Sequence, residues 1–197
     1  MKNVISMSSD NLLRLDAVAE FANNALTLVD TWEEGHGMRM AARIEVLAQE
    51  MNIPTSDIVL LKYVAILHDI GKIGIPDNVL HRRKFSVSNM DTMKGHSNNG
   101  ADLIKDMRFD PRIEEAIRQH HENWDGTGYP EKLIGLQISL WARMLSPVDC
   151  YDAITNTRSD RKARTITEAL KIMDMESGTK FDPEIYAAFK RAMVGYE

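Results

Sequence analysis

From Leu15 onward the apolar residues recur every three or four positions, and no stretch alternates as a half-buried strand would. That spacing commits the chain to helices packed face to face. Leu15, Val18, Ala22, Ala25, Leu26 and Val29 mark one face of an N-terminal helix. Gly35 and Gly37 break the pattern around His36, and a second helix is expected from Met38 to Glu50. Pro54-Thr55-Ser56 opens a third, carrying Ile58, Leu61, Ala65 and His68 on one side. Ile73 to Asp77 reads as a loop punctuated by Gly74 and Pro76. A long helix is expected after Ser88, reaching about Met107, with Met93, His96, Gly100 and Leu103. Asp110-Pro111 is a capping carboxylate followed by proline at the first helical position. Residues 123–137 are rich in turn-formers, and helix resumes near Ile138 to Thr155. Thr165-Ile166-Thr167-Glu168 has the form of a capping box, and Asp182-Pro183-Glu184 opens the last helix. The expected fold is all-α, a single-domain bundle of about eight helices. Residues 1–33 are either a packed leader helix or the end of a linker, and 34–197 form the domain proper.

The length of 197 residues suits one domain with a real core. A net charge of −5 argues against binding a DNA or RNA polymer, which calls for a basic stripe. It leaves room for an anionic substrate held by metals and a few local cations. The single cysteine, Cys150, cannot form an internal disulfide, and no apolar run is long enough for a membrane helix. The expectation is a cytoplasmic chain with no membrane association.

All but one of the six histidines fall where a metal cluster would use them: His36, His68, His96, His120 and His121, leaving His81. In His68-Asp69 the two side chains sit about 100° apart near a helix end and can reach two sides of one cavity. A carboxylate can bridge two cations while each imidazole gives one nitrogen. Lys72 follows, able to set a cation beside a phosphate. Two adjacent imidazoles at His120-His121 are costly to bury unless each has a partner. Asp149 lies in the apolar stretch from Met144 to Ile154, where an acid wants a partner, and Asp152 is either its neighbour in the site or solvated. Each feature alone admits a plainer reading: a capping histidine, an exposed polar doublet, an acid on a helix surface.

Taken together these residues resemble the HD-GYP family, a branch of the HD phosphohydrolase superfamily. The resemblance runs from about Glu34 to Phe189. It rests on His68-Asp69 with Lys72, on Met93-Lys94-Gly95-His96 with Gly100, and on the whole run from His120 to Pro130. It continues through Leu133, Gly135, Ala142-Arg143, Asp149-Cys150-Tyr151-Asp152-Ala153, Arg158 and Phe181-Asp182-Pro183-Glu184. The resemblance implies a helical bundle around two or three metal ions that hydrolyses cyclic di-GMP to the linear dinucleotide, and in some members to GMP. It implies His36, His68, Asp69, His96, His120, His121 and Asp149 as metal ligands, with Asp69 bridging and catalytic. It implies Lys72 and Arg158 as contacts to substrate phosphate, Lys72 also assisting catalysis, and places Tyr129 of Gly128-Tyr129-Pro130 beside the site. Nitrogen and oxygen ligands without a thiolate favour two divalent ions of iron or manganese, with zinc, nickel or cobalt also compatible. Two close cations lower the pKa of a water between them, and Lys72 and Arg158 would offset charge growing on the phosphoryl oxygens.

The chain departs from the family pattern in places. Where some members carry a glutamate that holds a third metal, Trp32 stands, with Glu33 and Glu34 beside it, so a third metal is left open. Arg82-Arg83-Lys84 replaces Lys-Pro-Gly, Ile138-Ser139 replaces Ile-Pro, and Arg158-Ser159-Asp160-Arg161 lacks a tyrosine between its arginines. Pro147 precedes Asp149 within a helix and can bend it. Two alternatives accompany the main reading. One is a slow or inactive cyclic-dinucleotide-binding signalling module that acts through a partner protein or a homodimer. The other is a phosphodiesterase for a different cyclic dinucleotide, such as cyclic GMP-AMP.

Overall fold

The computed structural model describes residues 9–30, 34–81, 86–157 and 162–195. Among these residues there are nine α-helices and no strand beyond isolated bridges. They are α1 (Ser9–Val29), α2 (His36–Glu50), α3 (Thr55–Leu67), α4 (Asp77–Leu80), α5 (Val87–Lys105), α6 (Pro111–Gln119), α7 (Leu140–Thr155), α8 (Ile166–Asp174) and α9 (Pro183–Gly195). Short 3-10 turns span Ile70–Gly74 and Gly135–Gln137. The all-α expectation holds. The first 3-10 turn takes in Ile73 and Gly74 of the expected loop, Ile75 and Pro76 stay irregular, and the added element α4 follows from Asp77.

Helix α3 is the central element. Ile58, Leu60, Leu61, Val64, Ala65 and Leu67 are all buried, so its apolar surface faces several neighbours rather than one. It packs against α1, α2 and α6, while α2 also meets α7 and α9. Tyr63 of α3 donates to Asp16 of α1, and Leu15, Ala19, Ala22 and Leu26 bury the inner face of α1 in the same core. No helix among the described residues is long and apolar enough to cross a membrane.

Local signals start most of the helices. Asp110 accepts from the Arg112 amide at 3.0 Å, and Ser139 accepts from Ala142 at 3.4 Å. The Thr165–Glu168 capping box closes in both directions, at 3.3 and 2.9 Å. Helix α5 begins at Val87, capped by Ser86, slightly ahead of the expected start. Helix α2 begins at His36 itself rather than at Met38. Gly35 takes a left-handed φ of 69°, which turns the chain into the helix, and Gly37 continues inside it.

One backbone contact sets the geometry of the site. The 3-10 turn at Ile70–Gly74 lies directly on α5. A Cβ on Gly71 would run into the His96 carbonyl and the Gly100 amide, and Gly100 in turn faces the Gly71 amide and Ile117. The two glycines let main chain approach main chain, which brings the His68-Asp69 corner up to His96. Gly71→Ala is therefore expected to cost about 3 kcal/mol through overpacking against backbone that cannot yield. A urea titration showing an unchanged midpoint would contradict this account.

Candidate metal centre

Three imidazoles are mounted in the same way. His68 Nδ1 lies 2.9 Å from the Ala65 carbonyl, His96 Nδ1 2.7 Å from Met93, and His120 Nδ1 2.6 Å from Ile117. Each partner is the carbonyl three residues back, on the same helical turn. A carbonyl oxygen only accepts, so each Nδ1 carries the proton and each Nε2 is left with a lone pair directed inward. His68 and His120 cap the C-termini of α3 and α6, and His96 lies within α5. Three helices thus deliver three bare nitrogens to one place. His36 arrives from α2 with a different anchor, Asp152 Oδ2, 2.7 Å from its Nδ1.

Asp69 sits where they converge. Its Oδ2 is 3.1 Å from His68 Nε2 and 4.0 Å from His36 Nε2, and its Oδ1 is 3.2 Å from His96 Nε2 and 3.9 Å from His120 Nε2. Lys72 Nζ meets Oδ2 at 2.9 Å. Burial alone would push the Asp69 carboxyl up, but the Lys72 ammonium beside it holds it well below the usual carboxylate range. Burial, reinforced by the neighbouring His68 and His96, pushes His120 down to about 3. His121 is lowered too, first by burial and then by His120 and His96. These rings stay neutral at physiological pH.

Two groups of donors result: His36, His68 and Asp69 on one side, and Asp69, His96, His120 and His121 on the other, each within 4.8 Å. Asp69 belongs to both. The donor set fits divalent metal. His96 Nε2 is 3.2 Å from both His120 Nε2 and His121 Nε2, and between His96 and His120 two lone pairs face each other. Asp69 Oδ1 is buried beside them without a well-aligned hydrogen bond. A cation between these atoms converts the repulsion into coordination.

Asp149 stands at the margin, its Oδ1 3.7 Å from His36 Nε2 and its side chain 28% exposed. Pro147 lies inside α7 without ending it, and Asp149 remains on the helix face turned to His36. Tyr129 stacks on His121 with ring centroids 4.8 Å apart, and Lys94 Nζ lies 5.3 Å from the Tyr129 ring. Burial, with Asp69 and Asp149 nearby, raises the Tyr129 phenol, so it keeps its proton. His81 is exposed at the end of α4, apart from the cluster. Arg158, the second expected phosphate contact, lies outside the described residues, as do Trp32, Glu33 and the basic run 82–84.

The structure adds residues that the motifs alone leave unassigned. Asp152 is fully buried and bound by Arg39, Arg43 and Asn156 as well as His36. Glu122 is buried too. Its carboxylate accepts the amides of Glu131, Lys132 and Leu133 at 2.6, 3.0 and 3.1 Å. Gly128 is pressed against the backbone of His121 to Asn123, where a Cβ would clash, and the Tyr129 amide donates to the His121 carbonyl at 3.1 Å. Glu122 therefore ties the segment after Pro130 back to the end of α6 and seats Tyr129 on His121.

Glu122→Ala is expected to lose about 3 kcal/mol, because three amides lose a charged acceptor, and to speed proteolysis within residues 123–137. Unchanged cleavage would count against the brace. The titrations give a second expectation. In metal-free protein the unfolded chain's histidines gain protons below the ordinary value of 6.5, whereas His120 refuses one until about 3. The unfolded state then binds more protons, so stability falls as pH drops from 7 to 5. A denaturation midpoint that holds or rises over that interval would oppose this.

A family model for the HD domain matches residues 20–185. A 3'3'-cGAMP-specific phosphodiesterase of Vibrio cholerae is 32% identical over 160 residues, covering 81% of this chain and 35% of the relative. A cyclic di-GMP phosphodiesterase of Pseudomonas aeruginosa is 34% identical over 184 residues, covering 90% of this chain and 44% of the relative. The chain thus spans less than half the length of these two relatives. Among solved structures, an HDG"Y"P protein from Bdellovibrio bacteriovorus superposes with a TM-score of 0.69 at 22% identity, over 92% of this chain and 62% of the other. At that identity the likeness bears on the fold alone. With the HD match over residues 20–185 and the two histidine–aspartate groups around Asp69, the chain belongs to the HD domain family.

Proposed function

We propose that this chain is a metal-dependent phosphodiesterase that hydrolyses cyclic di-GMP to the linear dinucleotide. The observation that carries the reading is the sharing of Asp69 by two donor groups with Lys72 beside it. His36, His68, Asp69 and Asp149 would hold one divalent ion, and Asp69, His96, His120 and His121 the other, with iron or manganese favoured by the nitrogen and oxygen donors. Bound metals supply Lewis acidity toward a phosphoryl oxygen and a nucleophile available at neutral pH.

The chain's own residues position the substrate. Lys72, held at 2.9 Å from Asp69, keeps an ammonium beside the donor groups, where a phosphodiester oxygen would meet it. Tyr129 keeps its proton and so offers a hydrogen bond from the side of His121. The Nδ1 anchors fix the orientation of His68, His96 and His120, so each ring already presents Nε2 towards Asp69. Arg158 is assigned to a second phosphate contact by resemblance.

A second substrate, 3'3'-cGAMP, is favoured by the Vibrio cholerae relative, whose name specifies that nucleotide. Both share the phosphodiester that the centre would cut and differ in one base. Chain prepared without oxygen and supplied with iron or manganese should linearise one of the two in a panel with competition. Asp69→Ala should abolish turnover and lower metal content. Lys72→Ala should retain metal and slow turnover by about 10²–10³-fold, the usual effect of removing one charge-stabilising donor. Nucleotide binding without product under every metal would turn the reading towards a signalling module. Turnover in Asp69→Ala equal to the parent would overturn it.

A further inference from the structure

We infer that Asp152 is a positioning residue for the His36 side of the centre and that Arg39 and Arg43 set its strength. The inference rests on the metal centre proposed above. The ligand imidazoles differ in their mounting. His68, His96 and His120 lean on neutral main-chain carbonyls of their own helices. His36 leans on a charged carboxylate from α7, 116 residues away in the chain.

That carboxylate has no exposure, and its charge is met from several sides. Oδ2 accepts from His36 Nδ1 at 2.7 Å and from Arg39 Nη2 at 3.0 Å. Oδ1 accepts from Arg39 Nε and Asn156 Nδ2 at 2.9 and 3.0 Å, and from Arg43. Two guanidinium groups on its oxygens thus compensate the charge of this buried carboxylate in place.

A carboxylate on Nδ1 pulls the ring proton towards itself and makes Nε2 a stronger donor to metal than a carbonyl would. It also fixes the ring so that Nε2 faces Asp69 and Asp149. The arginines work in the opposite direction. Each shares the carboxylate's charge and draws it away from His36. Arg39 and Arg43 lie on the same helix as His36, so ligand, brace and counter-charges form one unit spanning α2 and α7. The Asp69, His96, His120 and His121 group has no equivalent among the described residues, so a change at Asp152 acts on one half of the centre.

The test is a calorimetric titration of metal-free protein with manganese, compared across variants whose folding is checked by circular dichroism and thermal melting. The parent should bind two ions. Asp152→Asn should weaken one by about 10–100-fold and leave the other, the usual effect of removing a partner of a metal-bound histidine. Arg43→Met breaks the same α2–α7 ion pair but leaves Asp152 more of its charge, so the ion on the His36 side should bind as tightly as in the parent or more tightly. A brace that only joins two helices predicts weaker binding in both variants. That result, or Asp152→Asn binding two ions with parental affinity, overturns the inference while the metal centre stands. If Asp152→Asn fails to fold, Arg43→Met decides between the two accounts. A parent that takes up no manganese, iron or zinc overturns the centre and this assignment with it.

Discussion

An anion placed among imidazoles inside a helical bundle must be held there by charge, and here the counter-charge comes from one turn away. Lys72 reaches Asp69 because a tight 3-10 turn follows the histidine at the end of α3. Around that pair, each ring that leans on a carbonyl presents a lone pair instead of a proton. Donors that would repel one another in an empty cavity are thereby ready for a cation. The bundle spends helix ends on this purpose: α3 and α6 finish in histidines whose rings turn back onto their own carbonyls. Carbonyls in the last turn of a helix have no partner within it, so the arrangement satisfies a group that needed a donor.

The fold was legible in the sequence wherever the signal was local. Thr165 and Glu168 lie three residues apart, and their bonds close within one turn, so residue type and spacing suffice. Asp110-Pro111 works in the same way. The helical spacing of Ile58, Leu61 and Ala65 marked α3, though not that residues such as Leu60 and Leu67 on its other sides would be buried too. That depends on how many neighbours surround the helix, which a single segment does not encode. Helix α2 starts ahead of the position that the sequence suggests because two glycines flank His36 and only Gly35 supplies a turn.

The centre was legible in its ligands and illegible in its supports. Histidines and acids in unusual runs announce themselves by type, whereas Glu122 binds three main-chain amides that carry no residue identity. Arg39 and Arg43 look like the exposed face of an amphipathic helix until α7 is folded beside α2. Asp152 was visible only as an acid three residues beyond Asp149, with solvent and site equally open to it. Arg39 and Arg43 meet Asp152 across more than 100 positions of chain, a distance over which spacing holds no information.

The contact between Gly71 and Gly100 has an evolutionary side. Because main chain rests on main chain there, the interval between the His68-Asp69 corner and His96 is fixed by peptide dimensions and not by the volume of any side chain. Hydrophobic residues elsewhere in the bundle can then be exchanged as relatives diverge without retuning the distance between ligands. Two residues that contribute no side chain shield the chemistry from drift in the core.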